Sequence, residues 1–418
     1  MAARRPRIEY ALHPTLPPPP DDPVVVTGLG LTTPQGGDVP TSWAALLAGE
    51  SGAVTLPWAG SLPVRIGAPL RADPTAVLDR VEARRWDRCQ QVAVVAAREA
   101  WADAGRPDVP PERFAVVVGT GLGGGGTLVA QHDRMRELGP DRVSPFAVTM
   151  LMPNGPAAAV SLALGARAGA HAPTSACASG AEAVAWGWSL LRSGRADVVL
   201  AGGAEACLGE LSLSTFARMG ALSRRNDTPT AASRPFDRDR DGFLMAEGAG
   251  ALVLEKASHA RARGARPYAV LAGAGMSADA HDMTAPAPGG QVRAIGEALR
   301  TAGLDPHDVG HVNAHAPGTR VGDRVEASAI LAALGSHPLV TATKSVTGHC
   351  IGGAGAIEAA FTVLTVHHGL IPATVNLTEP DVPLEVVADG PRRTRVTAAL
   401  SHSFGFGGHN VVLAFTGP

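Results

Sequence analysis

The sequence predicts an α/β protein. Short buried strands that run into glycines alternate with alanine-rich stretches of helical character, and the alternation recurs in similar order in the two halves of the chain. A length of 418 residues leaves room for two core-forming units. A net charge of −2 offers no global attraction to nucleic acid or to a membrane surface, so neither partner is expected. No apolar run approaches the length of a membrane span. The four cysteines (Cys89, Cys177, Cys207, Cys350) lack paired spacing, which argues against both a disulfide framework and a structural zinc site; no metal is expected, and the cytoplasm is the default location.

Residues 1–22 combine early arginines with the run Pro17 to Pro20 and have no apolar h-region. They read as a flexible arm and stiff spacer, not a signal peptide. Order is expected from the Val24-Val25-Val26 strand, which ends in a turn at Gly28 and Gly30. That lone glycine pattern does not make a dinucleotide site, because no acidic residue follows at the required place. Gln90 to Ala104 reads as helix, Phe114 to Gly119 as a buried strand, and Gly121 to Gly126 as a flexible turn. Asp197 is expected to open a strand that stops at Gly202-Gly203.

An internal repeat links the halves. Val24 to Gly30 resembles Ala269 to Gly275, each a strand running into a glycine turn, and the passage around Cys177 has a counterpart at Thr343 to Gly352, followed by alanine-rich helix to Ala360. The join falls near residues 258–266, giving halves 23–262 and 263–418. Such a repeat would set Cys177 and His349 at matching helix starts, facing one cleft.

Cys177 is the most informative residue. It lies in Thr174-Ser175-Ala176-Cys177-Ala178-Ser179-Gly180, where a polar run gives way to helix. A thiol on the first helical turn feels the positive end of the dipole, which would lower its pKa and make it a nucleophile. The competing reading is a small buried hydrophobe. Two downstream histidines weigh on the choice. His315 follows the short strand His311-Val312-Asn313, and His349 sits in a glycine-flanked turn five residues after Lys344. Lys256 and Lys344 are the only lysines among 36 basic residues, so a compact ammonium beside His349 suggests a specific need.

These segments, with Met152-Pro153-Asn154-Gly155, Arg234-Pro235-Phe236-Asp237, Asp241-Gly242-Phe243 and Ser403-Phe404-Gly405-Phe406-Gly407-Gly408-His409-Asn410, resemble the β-ketoacyl-(acyl carrier protein) synthases over residues 23–416. The likeness is greatest to actinobacterial fatty-acid, mycolic-acid and type II polyketide ketosynthases. The resemblance implies a thiolase fold, two duplicated α/β halves packed as a layered αβαβα core. It implies decarboxylative Claisen condensation of a Cys177-bound acyl group with a malonyl thioester. His315 and His349 would then supply Nε2–H groups to the thioester oxygen, with Lys344 holding the site and Glu358 supporting it. The Cys177 and Phe404 backbone N–H groups correspond to the oxyanion hole, Phe404 to a gate, Phe216 to a wall of the acyl pocket, and Thr319 to a pantetheine contact.

The implied partners are an acyl carrier protein, docking at Arg84 and Arg85, and a second ketosynthase-like chain in a homodimer or heterodimer. No cofactor is expected beyond the carrier's phosphopantetheine arm. Two positions depart from the family pattern. Ala316-Pro317 follows His315 where Gly-Thr is usual, losing a hydroxyl, and His402 replaces an asparagine beside the gate. Both point to altered substrate handling. Three other roles stay open: a chain-initiating or acyl-transferring ketosynthase, a non-catalytic chain-length subunit, and a thiolase. Cys177 with both histidines disfavours the second, and a C-terminal stretch without cysteine disfavours the third.

Overall fold

The computed structural model describes residues 22–418; of the expected N-terminal arm, all but Asp22 lie outside the described residues. The first half runs β1 (Val24–Thr32), α1 (Arg88–Asp103), β2 (Phe114–Gly119), α2 (Gly155–Leu164), β3 (Gly169–His171), α3 (Ser179–Arg192), β4 (Val198–Glu205) and β5 (Gly248–Lys256). The second repeats the plan as β6 (Ala269–Ala278), α4 (Pro288–Ala302), β7 (His311–Asn313), α5 (Arg320–Ala333), β8 (Leu339–Thr341), α6 (Ile351–His368), β9 (Ala398–Gly405) and β10 (His409–Thr416).

The strand orders are β3-β2-β4-β5-β1 and β8-β7-β9-β10-β6. In both, the first two neighbour pairs are parallel and the last two antiparallel. Among the described residues, the half-sheets meet where Val25 pairs with Val270 and Val26 with Ala269. Identical order and direction in both halves mark a duplication.

Helix α1 lies against the first half-sheet and α4 against the second, while α3 and α6 sit between the two and touch both. The result is an αβαβα stack. The sequence encodes the central layer directly: α6 is buried from Ile351 through Val366, the pattern of a helix enclosed on all sides. Strands β1, β2 and β4 are likewise buried at every residue, as expected where helices cover both faces. Where α3 and α6 cross, a Cβ on Gly355 would sit 2.7 Å from the Ala181 amide nitrogen, so glycine is required there.

Four boundaries differ from expectation. The glycines of β1 and β6 are not turns; both strands continue through them. A Cβ on Gly30 would meet the Ala96 carbonyl oxygen of α1 at 1.9 Å, and one on Gly275 would meet that of Ala294 in α4 at 2.0 Å. These glycines let a helix lie on a strand, at matching places in the two halves. Strand β4 likewise runs on to Glu205, and Asp197 stands before it, its carboxylate 2.6 Å from Arg113 Nη2. Helix α1 starts at Arg88, because the Asp87 carboxylate accepts the Cys89 amide while the Gln90 side chain accepts that of Asp87, a capping box. No described helix is long and apolar enough to cross a membrane.

Candidate active site

Both repeats deliver chemistry from the same place, the passage from an outer parallel strand into a central helix. After β3 the chain makes a 3-10 turn at Ala176–Ala178 before α3 begins at Ser179. Cys177 therefore precedes the helix instead of riding its first turn. Ala176 holds φ at +52°, uncommon for a residue with a Cβ and a mark of a constrained turn. Ser179 ties the turn down: its hydroxyl accepts the Ser175 amide at 2.9 Å and donates to the Ala176 carbonyl at 2.7 Å.

After β8, a single helical turn (Lys344–Thr347) precedes His349, and α6 follows from Ile351, which itself holds φ at +41°. The His349 backbone is stitched between Leu244 and Ala246: its amide donates to the Leu244 carbonyl at 2.7 Å, and its carbonyl accepts the Ala246 amide at 3.0 Å. His315 comes from the loop between β7 and α5. The Glu326 carboxylate of α5 accepts the amides of His315 at 2.8 Å and Ala316 at 2.7 Å. Lys344 Nζ lies 3.3 Å from His315 Nδ1 and is ion-paired with Glu358 of α6. An ammonium has no lone pair, so Nδ1 must accept and the imidazole proton sits on Nε2. The His315 and His349 rings meet edge to face at 5.3 Å.

Cys177, His315 and His349 line one cavity of about 570 Å³, together with Phe216, Thr319, Pro317 and Phe404. Lys344 and Glu358 stand behind it, fully buried. Phe216, on the helix Glu210–Arg218, packs edge-on against Phe243 at 5.4 Å, so it is both core and cavity wall. Phe404 lies next to last in β9 beside His315, with ring centroids 6.1 Å apart. The Thr319 hydroxyl caps α5 by accepting the Gly322 amide at 3.2 Å and keeps a proton to donate. Arg84 and Arg85 are exposed at the end of the helix Arg80–Arg85, away from the cavity lining, with Arg85 over the Phe146 ring at 5.4 Å.

Burial sets the electrostatics. It pushes the Cys177 thiol up to about 12, against the opposing pull of Lys344 and of the Phe406 and Cys177 N–H groups; the helix-dipole expectation of a lowered pKa is overridden. Burial, reinforced by Lys344, holds His315 and His349 well below the usual imidazole range, so both are neutral donors. It lifts the Glu358 carboxyl to about 7, with Lys344 pulling the other way. The resting site thus holds a protonated thiol next to neutral imidazoles, poised to stabilise negative charge on a substrate.

Sequence reasoning missed three contributors. The Phe406 amide acts on the Cys177 sulfur, and Gly405 passes so near that a Cβ there would lie 3.2 Å from the Cys177 nitrogen. Glu205, fully buried at the end of β4, accepts the amides of Gly121 at 2.8 Å and Gly352 at 3.2 Å and the Thr120 hydroxyl at 3.1 Å. Ser179 Oγ also lies 3.2 Å from the Thr120 carbonyl oxygen, so Glu205, through Thr120, links the Cys177 turn to the start of α6. An acidic residue directly after the apolar run 198–204 was the available signal. Glu326 is the third. His402, expected near the gate, does not line the cavity; it points to α5, where its Nδ1 lies 3.1 Å from Glu326 Oε1. The Arg234–Asp237 motif is a brace: burial opposes it, but Arg234 and the amides of Glu379, Thr378 and Asp239 hold the Asp237 carboxyl well below its usual range.

The chain belongs to the β-ketoacyl synthase family. The model of the "Beta-ketoacyl synthase, N-terminal domain" matches residues 21–260, and that of the "Beta-ketoacyl synthase, C-terminal domain" matches residues 268–378. Fold and family together define a condensing enzyme of the acyltransferase class. Its relatives include the 3-oxoacyl-[acyl-carrier-protein] synthase 2 of Mycobacterium tuberculosis, 46% identical over 94% of this chain and 96% of the relative. That of Synechocystis is 42% identical over 94% and 97%. Among solved structures, a β-ketoacyl synthase from Burkholderia phymatum superposes with a TM-score of 0.89 at 35% identity, covering 95% of this chain and all (100%) of the other. A type II polyketide ketosynthase solved with its acyl-carrier protein and bound to the hexaketide gives a TM-score of 0.88 at 31% identity, with coverage of 95% and 100%.

Proposed function

We propose that the enzyme elongates carrier-bound acyl chains by two carbons in two half-reactions that share one cavity. In the first, the Cys177 sulfur attacks the carbonyl carbon of an acyl thioester. The carrier's pantetheine sulfur leaves and takes up a proton, and the acyl group remains on Cys177. In the second, a malonyl thioester loses carbon dioxide. The electron pair left on its α-carbon is delocalised onto the thioester oxygen, which accepts from His315 Nε2–H and His349. The carbanion attacks the Cys177-bound carbonyl and expels the Cys177 thiolate, leaving a β-ketoacyl group on the incoming carrier. The Cys177 amide, with that of Phe404 or Phe406, stabilises the tetrahedral oxyanion in each acyl transfer.

The observation carrying this reading is that Cys177, His315 and His349, contributed by different halves, line a single cavity. Lys344 supports it by fixing the tautomer that donates from Nε2. No cofactor takes part beyond the carrier's arm, which passes Thr319. An acidic acyl carrier protein docks on the exposed Arg84 and Arg85, and the enzyme works in the cytoplasm as a homodimer or paired with a homologous chain. Intact mass spectrometry with a panel of acyl-carrier thioesters tests the first half-reaction. One acyl mass is expected on the wild type and none on Cys177→Ala. An adduct on Cys89, Cys207 or Cys350 would overturn the assignment, and the preferred acyl chain identifies the pathway.

A further inference from the structure

His402 occupies an unusual place. It lies on the face of β9 turned toward α5, is fully buried, and meets Glu326 through Nδ1 at 3.1 Å. A carboxylate accepts only, so Nδ1 carries a proton and donates. The same Glu326 oxygen accepts the His315 amide, and the second oxygen accepts that of Ala316. His402 Nε2 has no hydrogen-bond partner among the described residues, and the ring tilts against Phe404 with centroids 5.4 Å apart. His315 is thus held from two sides, its ring by Lys344 and its backbone by a carboxylate to which His402 donates.

We infer that His402 is a positioning residue for the decarboxylation half-reaction, acting through Glu326 to hold the backbone that carries His315. The inference rests on the function proposed above. Removing the Nδ1–H donor leaves a buried carboxylate with two amide donors and no third, a state that invites water or rearrangement. Either shifts the His315–Ala316 backbone, and a displacement of about an ångström at a donor is enough to cost a large part of its effect. Cys177 hangs on separate fastenings, Ser179 and Glu205, so acyl transfer to it is spared.

The experiment measures the half-reactions separately in His402→Leu and His402→Gln. Acylation is followed by intact mass, and carbon dioxide release from malonyl-carrier by trapped label. His402→Leu is expected to release carbon dioxide at least about tenfold more slowly, with its acylation rate within about twofold of wild type. His402→Gln, which keeps a donor, should recover much of the loss. Equal loss of both half-reactions in a folded His402→Leu, or decarboxylation within about twofold of wild type, would overturn the inference. Should His402→Leu fail to fold, His402→Gln and Glu326→Gln decide it: Glu326→Gln must lose decarboxylation selectively, and His402→Gln must retain more of it. A wild type that forms no acyl-enzyme sinks the proposed function instead, a result distinct from any of these.

Discussion

The two halves of this molecule share one topology and differ in what they place at one position. In the first, β3 passes through a 3-10 turn into α3 and presents a sulfur; in the second, β8 passes through Lys344–Thr347 into α6 and presents an imidazole. Each passage carries one non-glycine residue at positive φ, Ala176 and Ile351. The scaffold therefore fixes where a group sits, and the turn fixes which reaction it serves. The sulfur passage is held by a serine hydroxyl and, through Thr120, by buried Glu205. The imidazole passage is backed by a buried lysine and carboxylate, and the loop of His315 by a second carboxylate. Both passages rest on a buried acid, but only the imidazole passage adds a buried ammonium beside the groups that meet developing negative charge on a substrate.

The largest expected consequence concerns pH. With its thiol pushed up to about 12, Cys177 carries a thiolate fraction that grows about tenfold per pH unit through the neutral range. Alkylation by iodoacetamide, mapped to Cys177 by peptide mass, should accelerate about a thousandfold from pH 6 to pH 9 without a plateau. A plateau below pH 8 would mean the helix dipole dominates after all, and the contrast between the halves would lose its electrostatic basis.

Next in size is the carrier. Replacing both Arg84 and Arg85 by Glu should raise the Michaelis constant for carrier-bound substrate about tenfold at low salt, and less at high salt, while a small soluble thioester acylates Cys177 as before. Unchanged kinetics would move docking to another surface.

The smallest effect is expected at Pro317, on the cavity wall after His315. Pro317→Thr restores a hydroxyl and a backbone donor, and should tighten carrier-bound malonate by about 1 kcal/mol, the value of one hydrogen bond. A fall in turnover without tighter binding would show that the proline shapes the His315 loop.

Much of this was legible in the sequence. The α/β alternation, the internal repeat and the segments around Cys177, His315 and His349 follow from local chemistry, because strand, helix and turn signals are short-range. What stayed hidden depends on pairs far apart in the chain. Gly30 and Gly275 read as turns because the helix that presses on each is invisible locally; in the fold they mark close approach. Glu205 reaches residues 84 and 147 positions away, and His402 meets Glu326 across 76. Cys177 showed its helix but not its half-buried place on the cavity wall, where loss of water around the sulfur decides its pKa. Single-sequence reasoning finds residues that chemistry singles out, and misses those that only tertiary structure brings into use.

The most direct test of the division of labour is a crossed assay of both half-reactions on Cys177→Ala, His315→Ala and His349→Ala. Cys177→Ala should take no acyl group yet release carbon dioxide from malonyl-carrier. Each histidine variant should form the acyl-enzyme near the wild-type rate and lose decarboxylation by about two to three orders of magnitude, the scale of a lost charge-stabilising donor. If the histidine variants fail to acylate while still decarboxylating, or if every variant loses both activities together, the two halves do not divide the reaction and the central claim is wrong.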